Sequence, residues 1–223
     1  MCSQMEPDWD HQYRIVSSKY PSIDFFENLV DSDLMEEILY IESLTNDRLR
    51  DEVGKISLIA PEDRISGPGS SPVMAAFTHF SEDNPSRFSD GGFGVYYAGD
   101  SLNTAIEETK FHRERFLGST KEDPGEIGMR VYIGKVAKPL HDIRVGYDKL
   151  HDPDIWSIPQ TFGKKMWRKN SWGIVYRSVR NPGGECIAAL RPPAITIPSH
   201  GQHLAYVWDG SRITNVYEKK LVP

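Results

Sequence analysis

The chain has 223 residues, of which 39% are hydrophobic, and a formal net charge of -6. A chain of this length and composition can bury one sizeable core without disulfides or a structural metal, so we expect a single globular domain. Acidic and basic residues are interspersed and form no basic stripe, which argues against direct nucleic-acid binding.

The cysteine count and the N-terminus limit the chemistry and the compartment further. The only cysteines, Cys2 and Cys186, are too few for a disulfide framework, and the scattered histidines form no cluster that suggests zinc. The N-terminus is polar and acidic where a secretory signal needs a basic start, and no apolar run reaches membrane-spanning length. We therefore expect no metal, no membrane segment and a cytoplasmic location.

The first part of the chain is predicted to be mostly helical. Residues 1–12 are interpreted as a flexible polar leader, and residues 13–223 as the domain itself. A short strand at 13–18 precedes an amphipathic series from Asp24 and a helix within 31–47. That helix has apolar residues at helical spacing, namely Leu34, Ile38, Ile41 and Leu44.

Strands dominate the second half. After the short buried helix "VMAAFTHF" and a long polar loop at 81–92, the alternating run "GMRVYIGKV" and the apolar runs "WGIVYRS" and "ECIAAL" read as strands. A helix is predicted around 151–170, and Asp209-Gly210 indicates a hairpin. The pattern predicts an α+β fold, with a twisted mixed β-sheet flanked by helices in one domain.

Between these halves, "GVYYAGDSLNTAIEETKFH" reads as a strand, a turn and the start of a helix. Either Ser101 or Asp100 can cap that helix. Its apolar stripe is then formed at spacings of three and four by Leu102, Ala105, Ile106, Thr109 and Phe116.

Two adjacent glutamates on this helix face different directions. Glu107 points away from the apolar stripe, whereas Glu108 falls on the flank beside Ala105, with His112 one turn further along that flank. Spacing alone also allows both glutamates to be ordinary solvated residues, because Glu is rarely buried. Glu108 is therefore the candidate for a half-buried, functional carboxylate.

The blocks "RFSDGGFGVYYAGDSLNTAIEETKFH" and, far downstream, "GIVYRSVRNPGGECIAAL" occur in an order that resembles the RES family, named for its Arg, Glu and Ser. The similarity covers most of the chain, from "YRIVSSKYP" onward. The resemblance implies an ADP-ribosyltransferase-like fold and the toxin of a bacterial toxin–antitoxin pair. It also implies that NAD is degraded at its nicotinamide–ribose bond, with water or phosphate as acceptor.

The family's functional residues can be placed position by position. The chain departs from the family pattern at one block: many members have Gly-Gly-Arg-Trp-Asn where this chain has "SRFSDGG" around Arg87. The resemblance implies that the catalytic residues are Arg87, Tyr97, Glu108 and Ser178, and that the arginine near the N-terminus is Arg14.

These residue types suit NAD cleavage. Glu108 would stabilise positive charge on the ribose and grip its hydroxyls, while Arg14 and Arg87 would bind the pyrophosphate. Tyr97 would offer an aromatic face, and Ser178 would hold the carboxamide or orient Glu108. Without the resemblance, Arg14 could equally form a local ion pair and Ser178 could be an exposed turn residue.

The implied partners follow from the same reading. NAD is a substrate, so no cofactor is expected, although phosphate could serve as a co-substrate. A helix-turn-helix antitoxin of the Xre type is the implied protein partner, and a homodimer is left open. Two alternatives remain: a mono-ADP-ribosyltransferase that modifies a protein, and a non-catalytic module that binds a nucleotide or an acidic partner.

Overall fold

A computed structural model describes residues 2–18, 55–220 and 222 of the chain. In these ranges the strands are β1 (Gln4–Met5), β2 (Gln12–Ser17), β3 (Tyr96–Gly99), β4 (Gly125–Gly134), β5 (Leu140–Asp142), β6 (Gly173–Arg177), β7 (Glu185–Ala189), β8 (Ser199–Trp208) and β9 (Ile213–Lys219). The α-helices are α1 (Ser71–Thr78), α2 (Leu102–Thr120) and α3 (Ser157–Arg168). Short 3-10 helices lie at Ile56–Leu58, Pro61–Asp63, Asp148–Leu150 and Pro192–Ala194.

The strands form one sheet in the order β1-β5-β6-β7-β3-β2-β4-β8-β9. Neighbouring strands are antiparallel except for β5 and β6, so the predicted α+β fold with a mixed sheet is confirmed. In the centre of the sheet, β2 and β3 share a single register pair, Tyr13 with Gly99. The helices predicted between residues 24 and 54 lie outside the described residues.

Helices cover both faces of the sheet. On one face, Tyr96, Val175 and Ile187 pack in the same cluster as apolar residues of α1. On the other face, α3 packs over β6 and β7, while α2 packs over β2, β4 and β8. Because successive strand residues point to opposite faces, the neighbours Tyr96 and Tyr97 belong to different clusters. None of the described helices has the length and apolar character needed to span a membrane.

The N-terminal segment differs from the prediction of a flexible leader. β1 pairs with β5, with Gln4 opposite His141. Met5 and Trp9 pack against the core, and Nε1 of Trp9 donates a hydrogen bond of 2.9 Å to Glu185. The β1 pairing and these two apolar side chains, set in a polar stretch, hold the segment that contains them against the sheet.

Helix α2 begins and packs largely as its sequence predicts. Ser101 is the N-cap residue, and its Oγ accepts a hydrogen bond of 3.2 Å from the backbone N–H of Thr104. Phe116, which we predicted in the apolar stripe, is 50% exposed, and Leu117 is buried in its place. The stripe thus shifts by one residue along the last turns of the helix, where Leu117 packs in the cluster that contains Trp208.

Candidate active site

Glu108 is half-buried on the flank of α2 that approaches β6 and β7. Its Oε1 accepts a hydrogen bond of 2.7 Å from Oγ of Ser178, and Sγ of Cys186 lies 3.8 Å from the same oxygen. Glu107 instead forms a surface ion pair with Lys110 at 3.1 Å. The two glutamates therefore face different surroundings, as the helical spacing predicts, and the structure joins Glu108 to Ser178.

Ser178 reaches Glu108 because the turn after β6 docks on the start of α2. Its Oγ also accepts hydrogen bonds from the backbone N–H groups of Arg180 (3.2 Å) and Asn181 (2.9 Å). Nδ2 of Asn181 donates to Oγ1 of Thr104 at 2.9 Å, and a Cβ added to Gly184 would collide with the same Thr104. The glycine thus permits the close approach that brings the hydroxyl to the carboxylate.

A cavity of about 440 Å³ adjoins this turn. Its lining includes Ser178, His151 and Glu185, but not Glu108. It therefore borders the Glu108–Ser178 pair without enclosing the carboxylate.

Tyr97 uses its hydroxyl to hold the polar loop that carries Arg87. The hydroxyl is 2.8 Å from Oγ of Ser86 and accepts a hydrogen bond of 2.9 Å from the backbone N–H of Phe88. Burial raises the pKa of Tyr97 to about 12, so the hydroxyl stays protonated at neutral pH. Tyr96 points to the other face, where its hydroxyl accepts a hydrogen bond from Gln12.

Arg87 is 6% exposed, and backbone carbonyl groups hold its guanidinium. Nη1 donates to the carbonyl oxygen of Asp152 at 2.8 Å and to that of Leu150 at 3.3 Å. Its positive charge acts on Tyr97 and on Arg180, which places it in the same group. Arg87 thus contributes charge to the site while its donors fix the segment 150–152.

Arg14 lies at the edge of this group rather than beside Glu108. Its Nη1 donates a hydrogen bond of 3.1 Å to the carbonyl oxygen of Tyr97, across the gap where β2 and β3 diverge. The guanidinium also stacks over the ring of Tyr96 at 4.4 Å. Burial lowers the pKa of Arg14. The structure therefore connects Arg14 to the site through the backbone of Tyr97.

Sequence reasoning missed Arg180. Its Cζ lies 3.4 Å from the centroid of the Phe111 ring, and Nη2 donates a hydrogen bond of 2.6 Å to the carbonyl oxygen of Pro153. The negative charge of Glu108 acts on its guanidinium. The sequence feature that could have identified Arg180 as a site residue is its position two residues after Ser178, in the turn "SVRNPGG".

Aromatic residues and further cations form the rim of the site. His112, one turn beyond Glu108, lies 5.9 Å from Trp156, whose ring also carries the guanidinium of Arg115 at 5.1 Å. Although His112 is exposed as a residue, desolvation of its ring and the positive charges of Arg180 and Arg87 lower its pKa to about 4. His112 is therefore neutral at neutral pH, and it adds no charge to the rim.

A family model described as the RES domain matches residues 61–209. The chain belongs to the RES domain family. The matched residues of this RES domain include Arg87, Tyr97, Glu108 and Ser178, whereas Arg14 lies before them.

One protein sequence and one solved structure are similar to this RES domain. "Uncharacterized protein y4oC" of Sinorhizobium fredii is 29% identical over 212 residues, which cover 93% of this chain and 87% of that protein. A solved structure, the M. tuberculosis MbcT–MbcA toxin–antitoxin complex, aligns with a TM-score of 0.44 at 13% identity, over 90% of this chain and 85% of the other.

Four arginines in or next to the site share an electrostatic feature. Within residues 2–18 and 55–220, Arg14, Arg87, Arg115 and Arg180 contact carbonyl groups or aromatic rings, and none of them forms an ion pair with a carboxylate. By contrast, the guanidinium groups of other arginines bind carboxylates, as in Arg144–Glu185, Arg177–Asp148 and Arg191–Asp63. The site thus combines one oriented carboxylate with positive charge that no carboxylate contact neutralises, an arrangement suited to an anionic ligand that carries a cationic reacting centre.

Proposed function

We propose that this RES domain cleaves the nicotinamide–ribose bond of NAD and acts as the toxin of a toxin–antitoxin pair. One observation carries the proposal: Ser178 orients Glu108 in a site to which Arg87 and Arg180 bring positive charge, and within the described residues neither arginine forms an ion pair with a carboxylate. NAD matches both features, because its pyrophosphate is anionic and its nicotinamide ring is cationic. The family membership supports the same chemistry.

The bond cleavage needs no strong acid. When the bond between the anomeric carbon and the nicotinamide nitrogen breaks, its electron pair neutralises the pyridinium, and nicotinamide leaves as a neutral molecule. The ribose gains oxocarbenium character, which a nearby carboxylate stabilises. In the part of the chain that the structure describes, the contacts to Glu108 go to Oε1, which leaves Oε2 for the ribose.

The acceptor completes the reaction. If water attacks the anomeric carbon, the products are ADP-ribose, nicotinamide and a proton. If phosphate attacks instead, the product is ADP-ribose phosphorylated at that carbon. In both cases Ser178 would serve Glu108 as a positioning residue, since its hydroxyl already donates to the carboxylate.

The remaining predicted residues receive supporting roles in this proposal. The Tyr97 hydroxyl is engaged with the loop at Ser86 and Phe88, so its half-buried ring is the part available to the substrate. Arg87 would raise the positive potential at the pyrophosphate, and Arg14 would act through the backbone of Tyr97.

The test is to incubate the purified chain with NAD, with and without phosphate, and to separate the products by chromatography. The proposal predicts release of nicotinamide, and the second product identifies the acceptor. Transfer of labelled ADP-ribose to a protein would favour the mono-ADP-ribosyltransferase alternative. Folded protein that binds NAD and leaves it intact under all conditions would favour the non-catalytic module.

The proposed partner is a helix-turn-helix antitoxin of the Xre type that blocks the site with a carboxylate-bearing segment. Arginines without ion-pair partners would bind such a segment as readily as a pyrophosphate. DNA binding by the complex would come from the antitoxin. Titrating the antitoxin against NAD consumption, with and without its C-terminal segment, tests the idea, and inhibition that survives the deletion undiminished would contradict it.

A further inference from the structure

Arg180 is held in place from three sides. Its backbone N–H donates to Oγ of Ser178, Cζ of its guanidinium lies 3.4 Å from the centroid of the Phe111 ring, and Nη2 donates to the carbonyl oxygen of Pro153. The aromatic ring and the carbonyl group restrict the planar fork to a narrow range of orientations. Arg180 is therefore already ordered in the absence of a ligand, and binding through it costs little side-chain entropy.

Among the residues that the structure describes, most of the hydrogen-bonding capacity of this guanidinium is unused. An arginine side chain carries five N–H donors, and the contact with Pro153 uses one of them. Arg177, three residues earlier on the same segment, instead pairs with Asp148 at 2.7 Å. In the described part of the chain, no carboxylate contact of this kind reaches Arg180.

Charges of both signs act on the guanidinium of Arg180. Burial has the largest effect and lowers the pKa of Arg180. The charges of Glu108 and Asp154 raise it, whereas the repulsion from Arg87 and Arg115 lowers it. An anion bound between Arg180 and Arg87 would relieve this repulsion. Charge-assisted hydrogen bonds to a phosphate are stronger than the bond to a neutral carbonyl, so a phosphate oxygen can compete with Pro153 for the guanidinium.

We propose that Arg180 is a specificity-determining residue that grips the pyrophosphate of the substrate and so selects a dinucleotide over a nicotinamide nucleoside without phosphate. This inference rests on the proposed function, because it names the group that recognises the anionic part of NAD. It assigns two tasks to the turn after β6: Ser178, its first residue, orients the catalytic carboxylate, and Arg180, its third, binds the substrate.

The first experiment compares two substrates. Nicotinamide riboside contains the bond to be cleaved but carries no phosphate. Arg180→Gln should lower kcat/KM for NAD by about ten- to a hundred-fold, mainly through KM, and leave kcat/KM for nicotinamide riboside unchanged. The control, Arg212→Gln, removes the same charge from the exposed hairpin and should change neither substrate.

Two results would overturn the inference. An equal loss for both substrates would show that Arg180 only supports the fold of the site, and an unchanged kcat/KM for NAD would show that it does not contact the pyrophosphate. If Arg180→Gln does not fold, Arg180→Lys serves in its place, since it keeps the charge but loses the fork and should lower kcat/KM for NAD selectively.

A binding measurement separates this inference from the proposed function. ADP-ribose is titrated by calorimetry into Glu108→Gln protein, with and without Arg180→Gln, so that no turnover is required. We expect the second substitution to weaken binding by about ten- to a hundred-fold. Equal affinities would refute the role of Arg180 even if NAD is cleaved, whereas a selective loss would support it even if NAD cleavage is not observed.

Discussion

Replacing Ser178 by Ala removes the hydroxyl that donates to Glu108. The bond is 2.7 Å long and its acceptor is a carboxylate, so it belongs to the charge-assisted class that contributes about 1.5–3 kcal/mol. Without it, the contact that Oε1 of Glu108 keeps among the described residues is the weak one with the thiol of Cys186 at 3.8 Å. The carboxylate can then rotate away from the ribose, and kcat for NAD should fall about ten- to a hundred-fold.

The assay follows nicotinamide release at saturating NAD, because an orienting residue should change kcat more than KM. The matched variant, Ser178→Thr, keeps a hydroxyl donor and should retain most of the activity. Both variants are checked by thermal unfolding, since the serine also accepts two backbone N–H bonds in its turn. A folded Ser178→Ala protein with unchanged kcat would refute the positioning role.

Three further predictions concern residues that surround the carboxylate. Tyr97→Phe leaves the buried N–H of Phe88 without its acceptor, and should lower the free energy of unfolding in urea by about 1–3 kcal/mol; unchanged stability would contradict this. The pKa of His112 falls from 6.5 to about 4 on folding. Between these pH values the unfolded chain binds a proton that the folded protein does not, so the stability of the fold decreases as pH falls. The His112→Gln protein should therefore lose less stability than the wild type between pH 7 and pH 5, as measured by thermal unfolding. Parallel curves of stability against pH for the two proteins would argue against the lowered pKa. Burial and the charge of Glu108 raise the pKa of Cys186. This thiol should therefore resist a disulfide reagent until the protein is denatured. Rapid reaction at both Cys186 and Cys2 in the native state would show that the site is open to the reagent.

The sequence was sufficient to predict which side of α2 faces the sheet, because the direction of each side chain depends on local helix geometry. Ser101, the N-cap residue, is one of the two residues that the sequence offered for this position, and the different directions of Glu107 and Glu108 follow from about 100° of rotation per residue. The last turns show the limit of this reasoning, since Leu117 rather than Phe116 is buried. Which of two adjacent apolar residues packs inward depends on the neighbouring strands, and these come from distant parts of the chain.

The order of the strands and the importance of Arg180 could not be predicted in the same way. β3 lies between β2 and β7, which are far apart in sequence, and the pairing of such strands leaves no local pattern. Arg180 reaches the site only because the turn after β6 docks on Thr104 through Asn181 and Gly184. Likewise, the packing of β1 on β5 depends on a few apolar side chains in a polar segment.

The central claim is that Glu108 is the carboxylate that cleaves the nicotinamide–ribose bond. The most direct measurement is the rate of nicotinamide release from NAD by the wild type, by Glu108→Gln and by the matched neighbour Glu107→Gln, with ADP-ribose affinity measured on each protein. We expect Glu108→Gln to lose about 2.7–4 kcal/mol of transition-state stabilisation, on the order of a hundred- to a thousand-fold in rate, with ADP-ribose binding retained. Glu107→Gln, which loses only a surface pair with Lys110, should match the wild type. Equal rates for Glu108→Gln and the wild type, or a loss confined to Glu107→Gln, would contradict the account.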